Sequence, residues 1–328
     1  KSRGVAAFPA EHAERVRFHQ WLQLLLHEQR ARAAAAIPLM QDLPIGVDPE
    51  GAEAWAWQDV FAEGVSVGSP PDEYNTLGQD WGFSPFIPWK LRAAGYAPFI
   101  QSLRGALRDA GGLRIDHVMG LFRLFWIPRG AGAGAGTYVR YRADELLAIL
   151  ALESQRAKAY IVGEDLGTVE ESARQKLANC NILSYRLVWF EANPPSTYPK
   201  LALAAVTTHD LPTIAGLWTG EELRAQHRFG LHPNEEGTRE IRERLRSMTG
   251  VAAGAAIEEV IKRAYGLLAH SPAAVVAATL EDALTVSERP NMPGAPASSW
   301  SLALPARLED IQSHPLVNVI AGQLRRQR

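Results

Sequence analysis

Gly112-Leu113-Arg114-Ile115-Asp116-His117 decides how this chain is read. A short apolar run ends in a carboxylate, with a guanidinium two residues before it and an imidazole one residue after. Side chains alternate along a strand, so Arg114 and Asp116 share a face. The C-terminal end of a parallel strand is where α/β barrels place reactive groups. The neighbouring positive charge is expected to keep Asp116 ionised, as a nucleophile requires. Two later runs repeat the pattern. Tyr160-Ile161-Val162-Gly163 leads into Glu164-Asp165, and Leu203-Ala204-Ala205-Val206-Thr207-Thr208 leads into His209-Asp210. Asp116, Glu164 and Asp210 thus form a three-carboxylate constellation, although any one alone reads more readily as an exposed acid at a strand end.

Outward from these runs, apolar segments predict six strands, near residues 37–42, 112–116, 159–164, 182–188, 203–208 and 274–281. They alternate with helical patterns, which predicts a parallel sheet with crossover helices. Six strands suit an open doubly wound sheet or part of a (β/α)8 barrel, which needs eight. No glycine fingerprint for a dinucleotide follows any of them. Asp42 is either a structural acid at the end of the first strand or part of the site.

Helical spacing predicts helices over 15–36, 99–110, 143–159, 233–248 and 255–269, and a polar helical tail over 308–328. Phe18, Trp21, Leu22, Leu25 and Leu26 in the first of these are expected in the core. Thr168 and Glu171 suit a capping box. Alternating glutamate and arginine make the 233–248 helix a solvated one. Gly130 to Gly136 alternates glycine with alanine but lacks the Gly-Lys-Ser/Thr ending of a phosphate loop, so it reads as flexible loop.

Residues 48–98 form a long insert without strong periodicity. It holds Trp55, Trp57, Trp81 and Trp89, four of the nine tryptophans, and that aromatic content argues against disorder. Aromatic faces among Asp, Asn and Gln suit a sugar, whose C–H face stacks while its hydroxyls take polar partners. The same tryptophans also serve as loop anchors over a core.

A net charge of −2 gives no case for nucleic acid or an anionic membrane as partner. Cys180 is the single cysteine, so no internal disulfide forms, which suits a reducing cytoplasm. The first fourteen residues contain no apolar signal-peptide core, and no run is long enough to span a bilayer. The chain opens on Lys1 within a polar stretch, so the natural protein is expected to begin earlier.

Six motifs together resemble one family: Asp42-Leu43-Pro44-Ile45-Gly46-Val47, the Pro70 to Gly82 segment, Arg114 to His117, Gly163-Glu164-Asp165-Leu166-Gly167, Thr208-His209-Asp210-Leu211-Pro212-Thr213 and Arg289-Pro290-Asn291-Met292-Pro293-Gly294. In this order they resemble the 4-α-glucanotransferases (amylomaltases, disproportionating enzymes; glycoside hydrolase family 77). The resemblance implies a (β/α)8 TIM barrel of the α-amylase clan. It implies Asp116 as nucleophile, Glu164 as general acid/base and Asp210 as transition-state stabiliser. Arg114, His117 and His209 would position the nucleophile or bind sugar, while Asp72 and Trp81 fall in the 48–98 insert that would line the glucan groove. The substrates would be α-1,4-glucans, with neither cofactor nor metal.

Two departures stand out. The family's first two barrel strands have no counterpart, so the six strands would be its third to eighth, and residues 1–328 the C-terminal major part of the catalytic barrel. The segment after Gly294 also lacks the family's usual acidic stretch and Asn-Trp. Three other readings stay open. They are a retaining α-glucan hydrolase, a metal-dependent hydrolase using Asp116, His117, His209 and Asp210, and an inactive truncated fragment.

Overall fold

In the computed structural model, residues 3–71, 77–167, 169–295 and 299–325 are described. The six expected strands are present and pair in one sheet. They are β1 (Met40–Leu43), β4 (Gly112–Ile115), β7 (Tyr160–Gly163), β8 (Leu183–Leu187), β9 (Ala202–Ala205) and β10 (Val275–Val276), in that spatial order and all parallel. This is an incomplete parallel barrel. Parallel pairing puts every C-terminal strand end at one edge, where the candidate acids cluster.

Alternation along the strands sorts side chains between two layers. Leu113, Ile115 and Ile161 pack outward with Leu103, Leu107, Leu146, Leu147 and Leu150 of the flanking helices Ala97–Leu107 and Ala143–Ala157. Ala202 and Ala204 pack outward with Ile214, Val260, Ile261 and Tyr265. Val162, Leu183, Tyr185, Leu187, Leu203 and Ala205 face one another on the concave side. Gly112 lies opposite Tyr160, and a Cβ there would come within 2.5 Å of the tyrosine ring, so the start of β4 admits only glycine without displacement.

A second sheet was not foreseen. It is antiparallel, in the order β3-β2-β5-β6, from β2 (Val65–Ser69), β3 (Gln79–Phe83), β5 (Arg123–Pro128) and β6 (Thr137–Arg140). The 48–98 insert is therefore not self-contained: its two strands complete a sheet with residues that follow β4. Gly130 to Gly136, expected as flexible loop, joins β5 to β6 through a short 3-10 turn whose Ala133 is buried against Phe125 and Ile127.

Other expectations need correction. The helix over 15–36 exists as Ala13–Ala36, but none of its residues is buried, and Phe18 and Trp21 are each 52% exposed. Leu22 and Leu25 are partly covered and Arg30 reaches Gly105 O and Asp109, so the helix is tethered along one side while Phe18, Trp21, Leu24 and Leu26 stay exposed. The strand expected over 274–281 is only two residues long, because Thr279 caps a short helix, Leu280–Ala283, through a bond from the Asp282 amide. Thr168 lies outside the described residues, and the helix there begins at Glu171 with Glu170 as its N-cap. The tail is less polar than expected, since Leu316 and Ile320 of the Pro315–Arg325 helix join the core. The helix Glu235–Thr249 is largely solvated but buries Leu245. No described helix is long and apolar enough to cross a membrane.

Trimming a fully buried side chain leaves a cavity, whereas trimming an exposed one does not. Leu150→Ala is expected to lower unfolding free energy by about 2–5 kcal/mol. Trp21→Ser should change it by only about 0.5 kcal/mol. Urea unfolding followed by circular dichroism measures both, and comparable losses would mean that the exposed helix face is covered.

Candidate active site

The site is assembled by strand register. Asp42 on β1 sits directly beside Arg114 on β4. The Arg114 guanidinium is nearly buried, with 8% of the side chain exposed, and it bridges two strands. Its Nη1 donates to both oxygens of Asp42 at 2.7 Å, and its Nη2 donates to Asp116 Oδ1 at 2.9 Å. The Tyr185 ring lies 5.6 Å from the guanidinium carbon. Arg114 and Asp116 do share a face, and Asp42 belongs to the site. Burial works against the Arg114 charge, but the two carboxylates outweigh it and hold the guanidinium above its ordinary value.

The expectation that Arg114 governs the ionisation of Asp116 is only half met. Burial is the larger influence and raises the carboxyl above its ordinary range, while Arg114 pulls it back. Asp42 and Asp210 add repulsion.

Glu164 follows β7 immediately. Its Oε2 accepts the His117 amide at 2.9 Å and its Oε1 the Leu166 amide at 2.8 Å. The first bond requires an unusual backbone. His117 has φ 47°, in the left-handed region, which aims its N–H across to β7. The ladder around it is tight: Asp116 N bonds Leu43 O, Glu164 N bonds Ile115 O, and Val118 N bonds Glu164 O. Burial pushes Glu164 up to about 7 against the two amide bonds, with Asp116 adding repulsion. Each carboxyl oxygen has two lone pairs, so one proton fits beside the amide bonds. Asp165, next in sequence to Glu164, is engaged elsewhere, accepting the Tyr185 amide and pairing with Arg174.

Asp210 lies beyond the end of β9. Burial favours its neutral form, but bonds from His209 and Asn291 overcome this and hold it below its ordinary value. His209 Nε2 stands 3.1 Å from Asp210 Oδ2, and Asn291 Nδ2 donates to Asp210 Oδ1 at 2.5 Å. The bond to Asp210 in turn raises His209. The His117 ring is instead driven down to about 4 by burial and by Arg123, so it is a neutral ring near pH 7.

Two aromatic–imidazole pairs flank the acids. Trp81 on β3 meets His117 edge-on at 5.5 Å, and Trp300 tilts over His209 at 5.2 Å. Asp72 lies outside the described residues. A cavity of about 380 Å³ opens among Asp42, Arg114, Tyr185, Thr207, His209 and Trp300. Among the described residues, no group of three or more His, Cys, Asp or Glu is arranged to hold a metal ion.

Sequence reasoning placed Arg114, Asp116, His117, Glu164, His209 and Asp210 at this edge and left Asp42 open between a structural role and the site. It missed the contributions of Tyr185, Asn291 and Trp300. Asn291 stands inside a quoted motif but 81 residues from Asp210, with no local spacing to announce the contact.

With this geometry established, three kinds of comparison agree. The profile of glycoside hydrolase family 77, described as 4-alpha-glucanotransferase, matches residues 1–308. The 4-alpha-glucanotransferase of Mycobacterium tuberculosis (strain ATCC 25618 / H37Rv) is 42% identical over 344 residues, taking in 94% of this chain and 48% of that protein. That of Haemophilus influenzae is 40% identical over 232 residues, taking in 67% and 33%. The crystal structure of amylomaltase from Corynebacterium glutamicum superposes with TM-score 0.87 at 34% identity, covering 95% of this chain and 50% of that one. Amylomaltase from Streptococcus agalactiae, solved in complex with acarbose, shares the fold at TM-score 0.80 and 18% identity. The chain spans about half the length of the Mycobacterium protein and of the Corynebacterium amylomaltase, and about a third of the Haemophilus protein.

A testable consequence lies in the proton affinity of Glu164. Folding raises it from 4.5 to about 7, so between those values the folded state holds more protons than the unfolded one. Stability from this group is therefore fully present below the lower value and is lost as pH rises through the upper one. Glu164→Gln should flatten the melting temperature across that window. Asp116→Asn removes a repelling charge and should lower the Glu164 midpoint, as read by carbon NMR of the carboxyl.

Proposed function

Because the chain belongs to the 4-alpha-glucanotransferase family, glycoside hydrolase family 77, we propose that it transfers an α-1,4-glucan segment to an acceptor glucan or glucose by a retaining double displacement. The single observation carrying this reading is the pairing of two unlike carboxyls across β4 and β7. Asp116 is held by the Arg114 fork, and Glu164 keeps its proton to about pH 7. One is fitted to attack and the other to donate.

In the first step Asp116 attacks the anomeric carbon while Glu164 gives its proton to the departing glycosidic oxygen. The bond from that carbon to the leaving sugar breaks, and a covalent glucosyl-carboxylate forms with inversion. Glu164, now a base, takes the proton of an acceptor 4-hydroxyl as that oxygen displaces Asp116, and the second inversion restores the starting configuration. This geometry calls for carboxyl groups about 5–5.5 Å apart. Asp210, kept ionised by His209 and Asn291, binds sugar hydroxyls whose acidity grows as the ring becomes oxocarbenium-like, so its contribution is largest in the transition state.

Transfer outcompetes hydrolysis when the acceptor site holds sugar and keeps water from a productive approach. Trp81 and Trp300, each set against an imidazole beside the acids, are the platforms for that role. The 48–98 insert, including Asp72, is proposed to line the approach of the glucan. The reaction needs no cofactor, since carboxyl groups serve every bond made or broken.

Chromatography of products from this chain with maltotriose is the test. Glucose together with longer malto-oligosaccharides is the expected outcome. Glucose and maltose alone would replace transfer with hydrolysis, and no product at all would overturn the activity for this chain by itself. Asp116→Asn is expected to reduce turnover by a factor on the order of 10⁴ or more, as removal of an essential nucleophile does. Near-normal turnover in that variant would remove Asp116 from the nucleophile role.

A further inference from the structure

Behind Asp210, away from the cavity, lies a buried ion pair. Glu222 is 1% exposed and the Arg289 side chain 9% exposed, and Arg289 Nη2 donates to Glu222 Oε1. The other end of the same guanidinium, Nη1, donates to the backbone oxygen of Asp210. Two residues on, Asn291 donates its side chain to Asp210 Oδ1 and its backbone N–H to His209 O at 3.1 Å. Pro290 O in between accepts the Trp300 amide at 2.7 Å, which seats the ring over His209. Neither Glu222 nor Arg289 lines the cavity.

A buried ion pair rarely improves stability over an apolar pair of the same shape. What it offers is direction: a planar guanidinium bridges two acceptors at fixed angles, and no apolar group can do so. Glu222 is carried on the helix Glu221–Arg228, which also supplies Gln226 to the same carboxylate oxygen at 2.6 Å. The carboxylate is thus anchored to a helix, and the fork passes that anchorage to the loop holding Asp210. If Glu222 loses its charge, Arg289 is left as an unpaired buried cation and is driven toward water, releasing Asp210 O.

We propose that Glu222, acting through Arg289, is a positioning residue that fixes Asp210 and its His209 partner for glucan transfer. The kinetic side of this proposal rests on the transfer reaction proposed above, whereas the geometric side does not. The rival role is a purely structural tie between the 221–228 helix and the 289–291 segment.

The test uses Glu222→Gln, which keeps shape but removes charge, and Arg289→Lys, which keeps charge but removes the fork. Circular dichroism first establishes that each is folded. The His209 ring is then titrated by nitrogen NMR in the unaltered chain and in both variants. Besides Asp210, the charged groups facing that ring are Arg114 on β4 and Asp42 on β1, and neither is altered. The His209 midpoint is expected to fall toward its ordinary value of 6.5 in both variants as Asp210 drifts from it. Where the unaltered chain turns over maltotriose, kcat is expected to fall by about 10–100-fold, with KM changed by about twofold or less.

Folded variants with an unchanged His209 midpoint would overturn the positioning role, as would unfolding of both variants, which would leave only the structural tie. An unaltered chain that makes no product would count against the transfer reading alone, since the His209 titration reads the clamp without turnover.

Discussion

The Arg114 fork is the constraint on which the rest of this site depends. A guanidinium on the concave face of a parallel sheet stays there only if carboxylates surround it. The register supplies one from the neighbouring strand, Asp42, and one from the same strand two residues on, Asp116. A shift of one residue between β1 and β4 would turn Asp42 to the opposite face and leave the cation short of a partner. Pairing and chemistry therefore specify each other: the ion network pins the register, and the register aims Asp116.

Around this fixed charge, environment rather than residue type divides the acids. All three carboxyls are half-buried, yet they settle differently. Glu164 has backbone amides and no salt bridge, and burial outweighs both the amides and the pull of Arg114. Asp210 has an imidazole and an amide donor, so its charge prevails. Asp116 lies between, with a guanidinium on one oxygen and two like charges nearby. Comparable side chains at comparable depth thus take on complementary protonation states.

Much of this was legible before any coordinates. The central parallel strands announce themselves as apolar runs because they are buried, whereas the edge strands β1 and β10 hold no buried residue; five of the six approach or end in residues of the site. Three kinds of feature were not legible. The exposed Phe18 and Trp21 of Ala13–Ala36 show that the spacing of a few apolar residues does not say whether anything covers them. The second sheet hid in the 48–98 insert because β2 is buried in three consecutive residues, without the alternation that marks a half-exposed strand. Contacts such as Arg289 to Glu222 and Asn291 to Asp210 join residues 67 and 81 positions apart, and no local pattern encodes them.

The left-handed turn at His117 bears on how this site can vary over evolutionary time. Its backbone N–H and its imidazole do separate jobs, one toward Glu164 and one beside Trp81. Glycine, asparagine and aspartate adopt that dihedral readily, whereas valine and isoleucine do so only at a cost. Drift at this position is therefore filtered by conformation before it is filtered by chemistry. A lineage that abandons the ring can still retain the amide that orients the acid, so loss of an imidazole here need not mean loss of the fold's ability to present a proton.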